Sequence, residues 1–195
     1  MLTQEQNDRL TQVGPGTPMG ELMRRYWIPI RPYAQLLDEK VMAVRILGED
    51  LVLFRAKNGD LCLVGEFCPH RMAKLKYGFP DEDGLRCCYH GWKFDINGDC
   101  IDMPSEPAES NFKDKVKITA YPTNEGAGMV WAYMGPADMK PGMPELEYLD
   151  VPDDPFVSTK VRYESKFVQV IEGEIDTVHA SLLPSHLDSL SNSNT

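Results

Sequence analysis

The sequence predicts a mainly β protein built around an antiparallel β domain. Two observations carry the prediction. Between residues 41 and 135, apolar stretches of strand length recur at short intervals, and the gaps between them hold Gly48, Asn58-Gly59 and Asn97-Gly98. Short strands at regular spacing, punctuated by residues that accept unusual backbone angles, are the mark of an antiparallel sheet rather than of a helical bundle.

The elements follow in order. Thr17 before Pro18 supplies a helix N-cap and a first helical residue, opening a short helix through about Tyr26. That helix lies in an N-terminal arm over residues 1–40. Residues 41–47 and 51–55 read as strands around a Gly48-Glu49-Asp50 turn. Asn58-Gly59 favours a tight hairpin because both residues tolerate positive φ. Residues 61–64 return and lead into a Cys/His cluster. Residues 92–96 and 99–103 form a hairpin about Asn97-Gly98, and 115–122 and 128–135 are further strands, closing a domain over 41–140. The Pro/Asp/Glu-rich stretch 136–155 reads as a connector. Within the remaining segment, 141–195, residues 158–167 read as a strand and 168–183 as a helix, before a polar Ser/Asn tail.

Composition narrows the function. A chain of 195 residues holds one good core, or one and part of another. A formal net charge of −10 argues against nucleic acid as a partner, which calls for a basic surface. No stretch has the apolar length of a membrane span, and the N-terminal ten residues lack a basic segment followed by an apolar core, so neither membrane insertion nor secretion is expected. Five cysteines fit a reducing cytoplasm better than a disulfide scaffold.

The chemistry is written in Cys68-Pro69-His70-Arg71 and Cys87-Cys88-Tyr89-His90-Gly91-Trp92, a C-x-H-x16-C-x-x-H pattern. Two thiolates and two imidazoles are the ligand set of a Rieske [2Fe–2S] centre, in which two histidines replace two cysteines on one iron and raise its potential. The alternative is structural zinc, which also takes Cys2His2, but zinc modules pair cysteine with cysteine and histidine with histidine at short spacing, whereas each cluster here is mixed. Trp92 and Tyr89 are placed either to shield the centre or to fill ordinary core; Arg71 either steadies a charge or anchors its loop. Cys62, Cys88 and Cys100 read as small buried hydrophobes.

The chain resembles the oxygenase components of Rieske non-haem iron aromatic-ring hydroxylases, in particular the phthalate dioxygenase-like branch. CPHR at 68–71, CCYHGWKFD at 87–95 and IEGEIDTVHASLL at 171–183 carry the likeness, with GPGTPMGELMRRYWIPI at 14–30 and DMPSEP at 102–107. The resemblance implies an antiparallel β Rieske [2Fe–2S] domain followed by the start of an α+β catalytic domain. It implies cluster ligation by Cys68, His70, Cys87 and His90, and its C-x-x-H spacing selects Cys87 over Cys88. Ala73 and Tyr89 stand where cytochrome-complex Rieske proteins carry a disulfide, which favours the oxygenase type. Asp176 matches an acidic residue that bridges two metal centres of adjacent subunits, and His179, three residues on and so on the same helical face, matches the first ligand of a mononuclear Fe(II). The pattern D-x-x-H-x4-H then meets Pro184 where a second histidine belongs; His186 is the nearest substitute, and the family's carboxylate ligand lies further along than this chain extends.

Three functions fit. The first is an oxygenase that takes electrons from an NAD(P)H-dependent reductase or a ferredoxin and passes them through the [2Fe–2S] cluster to a mononuclear iron, for O2-dependent hydroxylation of an aromatic molecule, in a homotrimer. The second is a stand-alone Rieske electron carrier. The third is a truncated product that holds a cluster without catalysis, in which His179 simply bonds to Asp176.

Overall fold

The computed structural model describes residues 2–107, 109–147 and 159–176. Their contacts divide into two units, residues 13–160 and residues 1–12 with 161–195. Four α-helices occur among the described residues: α1 (Gln4–Thr11), α2 (Pro18–Met23), α3 (Tyr33–Asp38) and α4 (Phe167–Ile175). The strands are β1 (Trp27–Pro32), β2 (Val41–Ile46), β3 (Glu49–Arg55), β4 (Leu61–Gly65), β5 (Phe79–Pro80), β6 (Leu85–Arg86), β7 (Lys93–Phe94), β8 (Cys100–Asp102), β9 (Ala120–Tyr121), β10 (Thr123–Gly126) and β11 (Met129–Tyr133).

In the larger unit these strands form three antiparallel sheets, ordered β1-β11-β10, β2-β3-β4-β9 and β5-β6-β7-β8. The second sheet separates two cores. Side chains alternate across a strand, so Leu51 and Leu53 of β3 and Leu63 of β4 enter one core with Ile30, Val130 and Ala132 of the first sheet. Val52, Phe54, Cys62 and Val64 enter the other, with Leu85, Phe94 and Cys100 of the third. A strand buried on both faces reads as an unbroken apolar run, which is why residues 51–54 are Leu-Val-Leu-Phe. The second core also takes in Cys68, Cys87 and Trp92. The two loops of interest are thus set into a hydrophobic interior.

The turns explain the differences from the sequence reading. β2 and β3 pair Ile46 with Glu49, so the turn is the two residues Leu47-Gly48, at φ 45° and 81°, not Gly48-Glu49-Asp50. Positive φ at both positions is the tight hairpin geometry that matches strand twist; Leu47 accepts it while packing against the first core. At Asn58-Gly59 only Gly59 is left-handed, at φ 99°. Gly59 N–H donates to Ala56 O over 3.0 Å and Ala56 N–H to Asp60 O over 2.9 Å, giving a three-residue loop. Asp95–Asp99 repeats the same pattern around Gly98.

The Thr17 cap forms as expected, its Oγ1 accepting from Gly20 N–H, but α2 ends at Met23 and not near Tyr26. The chain must be extended by Trp27 to pair with Tyr133 on β11. Buried Arg24 marks the exit, paired to Glu49 at 2.8 Å and donating to Leu47 O. The expected boundary at residue 40 falls between α3 and β2, inside the larger unit. The expected strand over 115–122 divides between two sheets. Ile118 N–H donates to Gly98 O and Cys100 N–H to Val116 O, while Ala120-Tyr121 pairs with β4. That segment ties the third sheet to the second.

In the smaller unit, α1 opens on a capping box in which Thr3 and Gln6 satisfy each other's backbone N–H. The described part of the predicted strand 158–167 is no strand: residues 159–166 are irregular and Phe167 opens α4. Residues 161–166 are exposed and take no part in the ladders described. The described part of the predicted helix is α4, Phe167–Ile175, with Asp176 as an extended C-cap at φ −78°, ψ 98°, and the rest of it, residues 177–183, lies outside the described residues. His179, Pro184 and His186 lie outside the described residues as well, and with them the expected helical face shared by Asp176 and His179.

Candidate metal centre

Two loops meet at one end of the larger unit. The first runs from β4 through residues 66–74 and the second, residues 87–92, joins β6 to β7. Both are closed in the same way. Cys68 N–H donates to Ala73 O over 2.9 Å and Met72 N–H to Cys68 O over 2.9 Å; Cys87 N–H donates to Trp92 O over 2.8 Å and Gly91 N–H to Cys87 O over 3.1 Å. The fifth residue counted from each cysteine is left-handed, Met72 at φ 56° and Gly91 at 76°. The closing bonds turn each cysteine inward.

Cys68 and Cys87 are 1% and 3% exposed, and their thiols interact with one another. Burial pushes the Cys68 thiol up to about 12, the neighbouring Cys87 adds to that, and the His70 backbone N–H opposes it. A thiol so placed ionises only when a cation joins it. His70 and His90 lie together on the outer side, partly exposed, with ring centroids 4.4 Å apart. Burial, then the charge of His90, holds His70 below the ordinary imidazole range, which keeps it in the neutral form that binds metal. Its Nδ1 is buried without a hydrogen-bond partner.

Neighbours brace the pair of loops. Trp92, buried, stacks on His70 with centroids 4.6 Å apart and planes 6° from parallel, and Phe112 meets its edge. Exposed Tyr89 lies against His90 at 3.9 Å. Arg86 reaches from β6 to donate to Gly91 O over 2.8 Å and pairs with Asp102 at 2.7 Å and Asp81 at 3.1 Å. Buried Glu66 and Lys74, at either end of the first loop, pair at 2.9 Å. Burial raises the Cys62 and Cys100 thiols too, and both are core side chains as expected. Cys88 is not: it is exposed, because a loop that turns Cys87 inward sends the next side chain outward. Sequence reading did not single out Arg86, Glu66 or Lys74. Their role comes from partners on other segments, which no local pattern displays.

The thiols face each other and the imidazoles face each other. That is the division a two-iron cluster needs, sulfur donors on one iron and nitrogen donors on the other. Among the described residues no three His, Cys, Asp or Glu side chains converge on a single point; a two-iron cluster asks for only two per iron. The buried, unpartnered Nδ1 of His70 and the shielded thiols fit such a group.

Residues 26–122 match the Rieske [2Fe-2S] domain. Over 94% of its length the chain is 43% identical to the oxygenase subunit of 3-chlorobenzoate-3,4-dioxygenase from Comamonas testosteroni. The chain belongs to the Rieske oxygenase family. It is also 42% identical, over 95% of its length, to the oxygenase subunit of phthalate 4,5-dioxygenase from Pseudomonas putida, and it spans 43% of the length of each of these relatives. Among solved structures, the oxygenase–ferredoxin complex of carbazole 1,9a-dioxygenase is similar with a TM-score of 0.52 and 25% identity, over 69% of this chain and 34% of that one. The β domain is the carrier of a [2Fe–2S] cluster. Among the described residues no helix is long and apolar enough to cross a membrane. Of the remaining predicted site residues, Asp176 stands at the end of α4 in the other unit.

Proposed function

We propose that this chain is the electron-relaying part of an oxygenase component. Cys68 and Cys87 hold one iron of the cluster, and His70 and His90 hold the other. The bound cluster supplies one-electron transfer at a potential raised by its two imidazoles. The chain's own residues set the conditions for that transfer. The inner thiols are kept from water, which protects the sulfur side from exchange. The two imidazoles stand at the partly exposed edge, the side from which an electron enters or leaves. Trp92 and Tyr89 flank those rings, and the Arg86 and Glu66–Lys74 bonds keep the loops from parting as the charge between them changes.

The electron donor is a ferredoxin or an NAD(P)H-dependent reductase; the likeness to an oxygenase solved with its ferredoxin supports that partner class. The electron's destination would be a mononuclear iron that supplies O2 activation against an aromatic substrate, a reading supported by the likeness to oxygenase subunits named for dioxygenation of 3-chlorobenzoate and phthalate. Asp176, His179 and His186 are the candidates for that second centre, and a homotrimer places one subunit's cluster against its neighbour's iron. The observation that carries the reading is the sorting of donors, thiols inside and imidazoles at the edge. The test is iron and acid-labile sulfide per chain after anaerobic purification, followed by reduction with a reductase and NADH. Two irons and two sulfides, reduced rapidly and reoxidised, are expected; a colourless protein without sulfide after reconstitution overturns the assignment. Additional iron with substrate-dependent O2 uptake is expected of the complete oxygenase.

A further inference from the structure

The chain has three tryptophans. Trp27 Nε1 donates to Pro141 O over 3.1 Å and Trp131 Nε1 to Gly126 O over 3.0 Å. Trp92 differs: its Nε1 is buried and has no acceptor. The side chain is 6% exposed, so water does not readily serve. A buried indole N–H left without a partner is destabilising, and buried tryptophans usually find one. Close by, His70 Nδ1 is the other unsatisfied nitrogen of this region. The two rings lie face to face at 4.6 Å, and Trp92 shares a core with Cys68 and Cys87. Two unmet polar groups in one pocket, one an electron-pair donor and one a hydrogen donor, call for a group with both a metal and a negative acceptor.

We infer that Trp92 is a positioning residue of the cluster, whose indole N–H donates to a sulfur of the [2Fe–2S] group while its ring holds His70 in place. The inference rests on the ligand assignment above. Iron–sulfur sulfurs accept hydrogen bonds, and such bonds raise the potential by stabilising the more negative reduced state. Trp92 therefore holds the potential above the value that two imidazoles alone produce. Stacking alone does not account for the placement, because a phenyl ring stacks equally well and leaves no donor to satisfy.

The test is Trp92→Phe, which keeps a ring beside His70 and removes the N–H. With iron and sulfide per chain matched to the parent, redox titration is expected to show a lower midpoint, the oxidised-to-reduced ratio at a given potential rising up to about tenfold, ~59 mV for one electron. An unchanged midpoint overturns the inference. A second measurement needs no substitution. In parent protein carrying tryptophan labelled with 15N at the indole nitrogen alone, the reduced cluster is expected to show a 15N hyperfine coupling, since the other two indoles are bonded elsewhere. A loaded parent without that coupling overturns the inference alone. A parent that takes up no cluster overturns the ligand assignment and the inference with it.

Discussion

Cys68 and Cys87 occupy the same position in two loops of one design: each donates its backbone N–H to the carbonyl five residues on, over 2.9 and 2.8 Å, and each accepts from the residue four on. The equivalence extends to the left-handed fifth residue, which is methionine in one loop and glycine in the other.

That difference sets up an asymmetric pair of substitutions. At Gly91 a Cβ is strained by φ 76° and meets Pro104 Cγ at 3.1 Å. Gly91→Ala is expected to cost about 1–2 kcal/mol, the usual penalty for a left-handed L-residue. Met72 already bears that strain, and its side chain is exposed. Met72→Gly relieves the backbone but loosens the unfolded chain by about 0.4–1 kcal/mol, so it is expected to fall within ~1 kcal/mol of the parent. Urea unfolding of both variants checks this; equal losses count against the loop description.

Arg86 holds the second loop through Gly91 O and two carboxylates. Its side chain is 28% exposed, so solvent weakens but does not remove these bonds. Arg86→Ala is expected to destabilise by roughly 1–2 kcal/mol and to speed loss of the visible cluster bands to a chelator. Lys117→Ala, which breaks an exposed pair with Asp99, is expected to change stability by less than about 0.5 kcal/mol. Equal bleaching rates in the two variants contradict the assigned role.

Acid acts on the same corner of the fold. The hydrogen bond from Arg86 holds Asp81 below the ordinary carboxylate value of 3.8, and that from Lys93 does the same for Asp83. A carboxylate depressed in the folded state binds fewer protons than when unfolded, so its stabilisation is complete above pH 3.8 and drains away as pH falls through the lowered value. Circular dichroism at fixed urea, stepped down below about pH 4, should show stability falling. Asp81→Asn with Asp83→Asn starts less stable and should lose less over that interval. A double variant with the parent's slope would rule the pair out.

The exposed and buried members of the adjacent cysteine pair should behave oppositely. Cys88→Ser is expected to leave iron and sulfide per chain unchanged, since its thiol faces solvent. Cys87→Ser and His90→Ala are expected to abolish assembly. Retention of the cluster in Cys87→Ser and its loss in Cys88→Ser would reverse the proposed ligand choice.

Much of the β domain was legible in advance. The hairpins at Gly48, Gly59 and Gly98 announce themselves because a left-handed residue is a local demand that the chain meets with glycine. Turn lengths were less legible: Leu47 takes a left-handed conformation because the first core rewards its side chain there. β1 was missed, since Trp27–Pro32 contains two prolines and forms an outer strand only by pairing with β11. Of the helix expected over 168–183, the described residues 168–175 are helical, where the apolar spacing is a local pattern.

The sequence by itself determined that two cysteine–histidine pairs stand at loop positions of a β domain, and which turns bring the strands back. These are matters of residue type and near-neighbour backbone geometry, settled within a few residues. Only the tertiary structure decided that Cys87 turns inward and Cys88 outward, that Trp92 lies flat on His70 from a different loop, and that Arg86 ties the second loop to Asp81 and Asp102. Each of those outcomes depends on which surfaces meet across distant segments, and the burial that selects among rotamers exists only once the sheets have packed.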